Sequence, residues 1–127
     1  MATPTQELIG SPTPSISVIL PVLNEEVHLE DAVSSILSQN YLGRIEVILA
    51  LGPSHDRTHE IASKLAASDP RVVLVQNPTG RTAAGLNLAL ALSQSPVVVR
   101  VDGHAQIPND YLALVVEILN ETGAVNV

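Results

Sequence analysis

Four short aliphatic runs recur along the chain: "SISVILPV" (15–22), "RIEVILAL" (44–51), "RVVLVQN" (71–77) and "PVVVRVD" (96–102). Runs this short and this continuous suit strands covered on both faces, where every side chain is buried. Each is followed by a helical segment: "NEEVHLEDAVSSILSQ" (24–39), "GPSHDRTHEIASKLAAS" (52–68), "PTGRTAAGLNLALALSQS" (78–95) and "IPNDYLALVVEILNE" (107–121). The order is βαβαβαβα with short connections. It predicts an α/β domain: a parallel, Rossmann-like sheet with right-handed crossovers and helices on both faces. "GAVNV" at 123–127 reads as the beginning of a fifth strand. Composition agrees. Hydrophobic residues make up 46% of the 127, with no Phe, no Trp and only Tyr41 and Tyr111 as aromatics, so the core must be built from Val, Ile, Leu and Ala.

Punctuation refines the segments. Asn24 is a good N-cap for the first helix, with Glu25 and Glu26 in its positive first turn. Ser54 or Asp56 caps the second, and Pro108 stands near the first turn of the fourth. Residues 1–14, rich in Pro, Thr and Ser, read as a disordered lead-in, and 15–127 as the folded domain.

Charge and composition exclude several functions. The net charge is −7, which speaks against a nucleic-acid partner and against a polybasic membrane patch. The absence of Cys removes disulfides and thiolate metal sites. No run reaches the ~18 apolar residues of a membrane span. The N-terminus "MATPTQELIGSPTPS" has neither the basic nor the apolar part of a signal peptide, so a cytoplasmic location is expected.

Open α/β sheets bind ligands beyond the carboxyl ends of their strands. Four loops therefore matter: 21–26, 51–57, 77–82 and 102–107. In "PVLNEE", Asn24 and Glu25 are either helix-start residues or an amide and a carboxylate beside a polar ligand. In "ALGPSHDRT", capping is the plainer role for Asp56, and His55 and Arg57 read as surface residues. In "NPTGRTAAGLN", Gly80 permits close backbone approach and Arg81 stands beside a helix start, suited to bidentate contact with phosphate. Asn87 lies mid-helix, facing either the site or solvent. There is no G-x-G-x-x-G fingerprint and no G-K-[ST], so dinucleotide and P-loop readings lose support. In "RVDGH", Asp102 and His104 share a face if the strand continues, and a carboxylate with an imidazole suits Mn²⁺, Mg²⁺ or Zn²⁺. The alternative is a plain turn at Asp102. Arg100 is an oddity in an aliphatic strand; it either pairs with a carboxylate or reaches a phosphate.

Taken in order, "ISVILPVLNEEVHLEDAVSSILSQNY", "IEVILALGPSHDRTHEIA", "DPRVVLVQNPTGRTAAGLNLAL" and "VVVRVDGHAQIPNDYL" resemble the N-terminal half of family 2 glycosyltransferases of the GT-A fold. "LGPS", "NPTGRT" and "VDGHA" are similar to the bacterial polysaccharide-synthesis members of succinoglycan type. The resemblance implies transfer of a sugar, with inversion, from a nucleotide-diphosphate donor to a glycan or lipid-linked acceptor hydroxyl. It places Pro21, Asn24 and Glu25 in the nucleotide pocket, where Leu23 replaces the family's usual aromatic residue. Leu51 and Gly52 replace the family's two acids, which leaves the base open. Gly80 and Ala84 match a loose G-x-x-x-A-x-N block. Asp102 and His104 match the family's D-x-D metal motif, and the polypeptide N-acetylgalactosaminyltransferases hold Mn²⁺ with D-x-H.

The expected site is thus Pro21, Asn24, Glu25, Gly80, Arg81 and Asp102 for the donor, and Asp102 with His104 for a divalent cation, Mn²⁺ or Mg²⁺. The family's acceptor half and its general base are expected beyond residue 127, with the GT-A core incomplete at the carboxyl end. Two other readings stand beside this one. A sugar-phosphate nucleotidyltransferase shares the layered core, but it wants a glycine-rich, basic loop after the first strand. A degenerate nucleotide-sugar-binding module would have lost catalysis.

Overall fold

A computed structural model of the chain describes residues 13–122. The predicted fifth strand and all but the last two residues of the predicted lead-in lie outside them. Of those two, Thr13 is exposed, whereas Pro14 is buried and its carbonyl accepts from the Tyr41 hydroxyl.

The elements follow the expected order: β1 (Ile16–Val22), α1 (Leu29–Leu37), β2 (Ile45–Leu51), α2 (Thr58–Ser68), β3 (Val72–Gln76), α3 (Thr82–Leu92), β4 (Val97–Arg100) and α4 (Tyr111–Thr122). The four strands form one parallel sheet in the order β3-β2-β1-β4. Along β1, Ile16 pairs with Ile45 and Val22 with Leu51 on one side, and Ile16 with Val97 and Ile19 with Arg100 on the other.

The pleat splits the aliphatic runs between two layers. Ile16, Val18, Leu20 and Val22 turn one way, into the main core with Leu29, Val33 and Ile36 of α1, Ala62 of α2, and Leu112, Val115 and Leu119 of α4. Ile19 and Ile48 turn the other way and meet Ala89 of α3. Among the described residues, helices thus cover both faces, three on one and α3 on the other. Leu88, Leu90 and Leu92 of α3 remain partly exposed. Gln39, buried at the end of α1, donates to the Pro108 carbonyl at 2.6 Å and accepts from the Leu112 N–H at 3.0 Å, which anchors the start of α4. None of the helices among the described residues is long and apolar enough to cross a membrane.

β1 leads to β2 in one direction across the sheet, and β3 leads back to β4 on its far side. The strand order therefore switches between β1 and β4, and a crevice opens there at the carboxyl edge.

Candidate functional site

A cavity of about 190 Å³ occupies that crevice. Pro21, Val22, Leu23 and Glu25 wall it from the β1 side, and Arg100, Asp102, Gly103 and His104 from the β4 side. Asn77, Gly80 and Thr82 close it from the β3–α3 loop. Sequence reasoning placed Pro21, Glu25, Gly80, Asp102 and His104 in a common site, and the fold brings these five together. The side chains of Asn24 and Arg81 do not line the cavity.

The β1–α1 loop departs from the expected helix start. α1 begins at Leu29, and no side chain caps it. Asn24 is not its N-cap; it takes a positive φ of 52°. The reason is a set of bonds to the β2–α2 loop. The backbone N–H groups of Asn24, Glu25 and Glu26 donate to Ser54 Oγ at 2.9 Å, Thr58 Oγ1 at 2.8 Å and Asp56 Oδ2 at 3.2 Å. In return the His55 N–H donates to Asn24 Oδ1 at 2.8 Å, and the Arg57 N–H to Glu26 Oε2 at 3.3 Å. Asp56 also accepts from the Thr58 N–H at 2.9 Å and from the Thr58 hydroxyl, so part of its capping role holds. The result is a clasp that fixes the backbone of Glu25 at the cavity wall. Thr58 was not foreseen. The alternating oxygens of "SHDRT" at 54, 56 and 58 were the available signal.

Thr58 is fully buried. Thr58→Val strands the Glu25 N–H and should cost about 1–3 kcal/mol of stability, as for a buried donor left unsatisfied. Thr58→Ser should recover most of it. The Thr58 hydroxyl bond also holds the Asp56 carboxyl below its usual range, helped by the Thr58 and Glu26 N–H groups and opposed by burial. A lowered folded-state value means stability that is present above the ordinary carboxylate range and lost as pH falls through the lowered value. Urea titrations across the acid range should show a shallower decline in Thr58→Val than in the parent; parallel declines would refute the assignment.

The β3–α3 loop is folded by Asn77, which is buried. Its Nδ2 donates to the Arg81 carbonyl and its Oδ1 accepts from Thr79 Oγ1, both at 2.9 Å. Gly80 bonds back to the Asn77 carbonyl with φ of 68°, a conformation glycine adopts without penalty. Arg81, the N-cap residue of α3, is exposed at the rim between two residues that do line the cavity. No side chain caps α3, whose first residue, Thr82, lines the cavity. Asn87 faces solvent.

The D-G-H turn is built differently from the expectation. β4 ends at Arg100, and residues 102–105 turn, closed by the Ala105 N–H on the Asp102 carbonyl at 3.0 Å. Asp102 and His104 therefore reach one cavity through a turn, not through a shared strand face. The side chain that strand geometry does set beside Asp102 is Arg100, whose Nη2 lies 3.5 Å from Asp102 Oδ1. His104 Nδ1 instead approaches Glu25 Oε2 at 3.3 Å. That oxygen is shielded from solvent and accepts no hydrogen bond, so the approach is a contact and not a directed bond. Gly103 packs closely against the end of β1 and the β1–α1 loop. A Cβ there would sit 3.3 Å from the Pro21 carbonyl oxygen and 3.4 Å from Glu25 Cγ.

A carboxylate, an imidazole and the under-bonded Glu25 oxygen at one cavity suit a divalent ion of intermediate hardness. The described residues hold no group of three such side chains in coordinating array. Asp102 and His104 would hold such an ion only together with further oxygens from a bound ligand.

An open parallel sheet with its polar cleft at the switch between β1 and β4 defines a doubly wound α/β domain of the kind that holds a ligand at its carboxyl edge. The family model described as "Glycosyl transferase family 2" matches residues 17–127, and the chain belongs to that family. The succinoglycan biosynthesis protein ExoA of Rhizobium meliloti is 36% identical over 109 residues, which span 84% of this chain and 33% of that protein. The mannosyltransferase PcManGT of Pyrobaculum calidifontis, solved with GDP-Man and Mn²⁺, superposes with a TM-score of 0.76 at 29% identity, over 93% of this chain and 34% of that one. TarS of S. aureus, solved with UDP-GlcNAc, gives a TM-score of 0.72 over 86% of this chain and 32% of its own, at 24% identity, a likeness of fold alone. The fold is the GT-A core. The chain spans roughly a third of the length of each of these proteins.

Proposed function

We propose that the cleft binds the nucleoside-diphosphate end of a sugar donor, for inverting transfer to a glycan or lipid-linked acceptor hydroxyl. The observation that carries the reading is the convergence of Asp102, His104 and Arg100 with the start of α3 on one cavity, in a chain of this family. Asp102 and His104 would hold a divalent cation, Mn²⁺ or Mg²⁺, which when bound supplies positive charge to offset the leaving diphosphate. PcManGT, solved with Mn²⁺ and a nucleotide sugar, supports this choice.

The chain's own residues do the rest of the binding. Thr82 and the first turn of α3 present a hydroxyl and backbone N–H groups, and the helix dipole favours an anion there. Gly80 lets the loop backbone approach the ligand, and Arg81 stands at the rim within reach of its phosphates. Pro21 and Leu23 give an apolar wall. Glu25, its backbone held by the Thr58 clasp, sets a carboxylate that is 19% exposed beside the His104 ring.

Calorimetric titration with uridine and guanosine diphosphates tests the reading. At least one should bind, and more tightly when Mn²⁺ is present. If neither binds with Mn²⁺ saturating, the reading fails.

A further inference from the structure

Arg100 is the only Arg or Lys that lines the cavity among the described residues. Its pairing differs from that of the chain's other paired arginines. Arg57 meets Glu60 at 2.7 Å and Arg71 meets Asp69 at 2.8 Å, whereas Arg100 stands 3.5 Å from Asp102, with both side chains about half exposed. A wide, solvated pair of this sort is weak and readily exchanged. Its acidic member is also the carboxylate assigned above to the divalent cation. One carboxylate cannot serve a guanidinium and a dication equally, and the two cations repel each other at such range.

We propose that Arg100 is an internal stand-in for the cation: it holds Asp102 in the metal-free cleft and moves to the donor diphosphate when a divalent ion takes that carboxylate. The inference rests on the reading under Proposed function and adds a second role to its site. The planar fork of Arg matches phosphate oxygens two at a time, which a carboxylate 3.5 Å away leaves unused. The extended backbone around Arg100, held by the Val101 N–H on the Ile19 carbonyl at 3.1 Å, keeps both partners on one side of the strand end. The exchange therefore needs only side-chain rotation.

Two ligands then respond to Arg100 with opposite signs. Removing its charge relieves competition for Asp102, so Mn²⁺ alone should bind Arg100→Gln roughly twofold to tenfold more tightly than the parent. In saturating Mn²⁺, the better-binding diphosphate, uridine or guanosine, should bind the same variant about tenfold more weakly, through loss of a charged hydrogen bond. Arg100→Lys keeps the charge but not the fork, so Mn²⁺ affinity should stay near the parent value while diphosphate affinity falls. A merely structural role would move both affinities downward together. Thermal melts, expected to coincide for this half-exposed position, check that the variants fold.

Unchanged or weakened Mn²⁺ binding in Arg100→Gln overturns the proposal, as does unchanged diphosphate affinity. Asp102→Ala separates this failure from failure of the site itself. If Asp102→Ala still binds Mn²⁺ like the parent, the cation lies elsewhere and both readings fall. If it loses Mn²⁺ while Arg100→Gln changes neither affinity, only the role of Arg100 falls.

Discussion

Leu20→Ala is expected to lower the unfolding free energy by about 2–5 kcal/mol, the range for truncating a large aliphatic side chain in a closed core. Leu20 is fully buried in β1, a central strand with β2 on one side and β4 on the other. Its side chain belongs to the larger hydrophobic layer, where three helices and the sheet meet. The cavity left behind cannot collapse easily, because strands on both sides hold β1 in register. With no Phe or Trp anywhere in the chain, the buried side chains of this layer are all aliphatic. A loss of that size can consume a large share of a domain's total stability. Equilibrium denaturation in urea measures it. A change under about 1 kcal/mol would mean that this layer repacks far more freely than close packing allows. The variant should also weaken nucleotide binding, because Pro21 and Val22, which wall the cavity, follow directly on Leu20.

Asp102→Ala carries the second large effect. If Asp102 and His104 hold the cation, the part of nucleotide affinity that depends on Mn²⁺ should fall by at least 10–100-fold, the loss typical of disturbing even the outer partners of a metal site. With few protein donors at hand, the remaining imidazole would hold the ion weakly. His104→Ala should act in the same direction. Its side chain is 63% exposed and its contact with Glu25 is undirected, so its removal should leave stability close to that of the parent. The measurement is diphosphate affinity with and without Mn²⁺ in the parent and both variants. Equal enhancement by Mn²⁺ in all three would show that the pair does not hold the metal and that Asp102 serves only its turn.

Much of the architecture was legible in the residues because it rests on short-range periodicity. The four strands differ from the aliphatic runs by a residue or two at their ends, and each helix falls inside its expected segment or one residue beyond it. A buried strand needs apolar side chains at every position and a helix needs them on one stripe, so both leave a local mark. The errors lie where bonds cross between loops. Asn24 carried every local mark of a helix cap. Its N–H was instead taken by Ser54, thirty residues away, and α1 started late. Asp102 and His104 reached one cavity by a turn that alternation did not predict. Arg81 had the better local context for phosphate, and Arg100 proved to be the cation inside the cleft.

The sequence by itself determined the class of fold, the aliphatic core, the family resemblance and which loops matter, since these follow from periodicity and from the order of blocks along the chain. The tertiary structure alone decided which members of those loops meet. Sheet order set β4 beside β1 and the β3–α3 loop across from both, so residues 21, 80 and 102 came to line one cavity. Whether Glu25 is a helix-start residue or a cavity wall depends on Thr58, whose hydroxyl lies thirty-three positions along the chain and within 2.8 Å in space. Such contacts are fixed by the crossing of strands and not by any pattern of neighbours, and for that reason they leave little local trace.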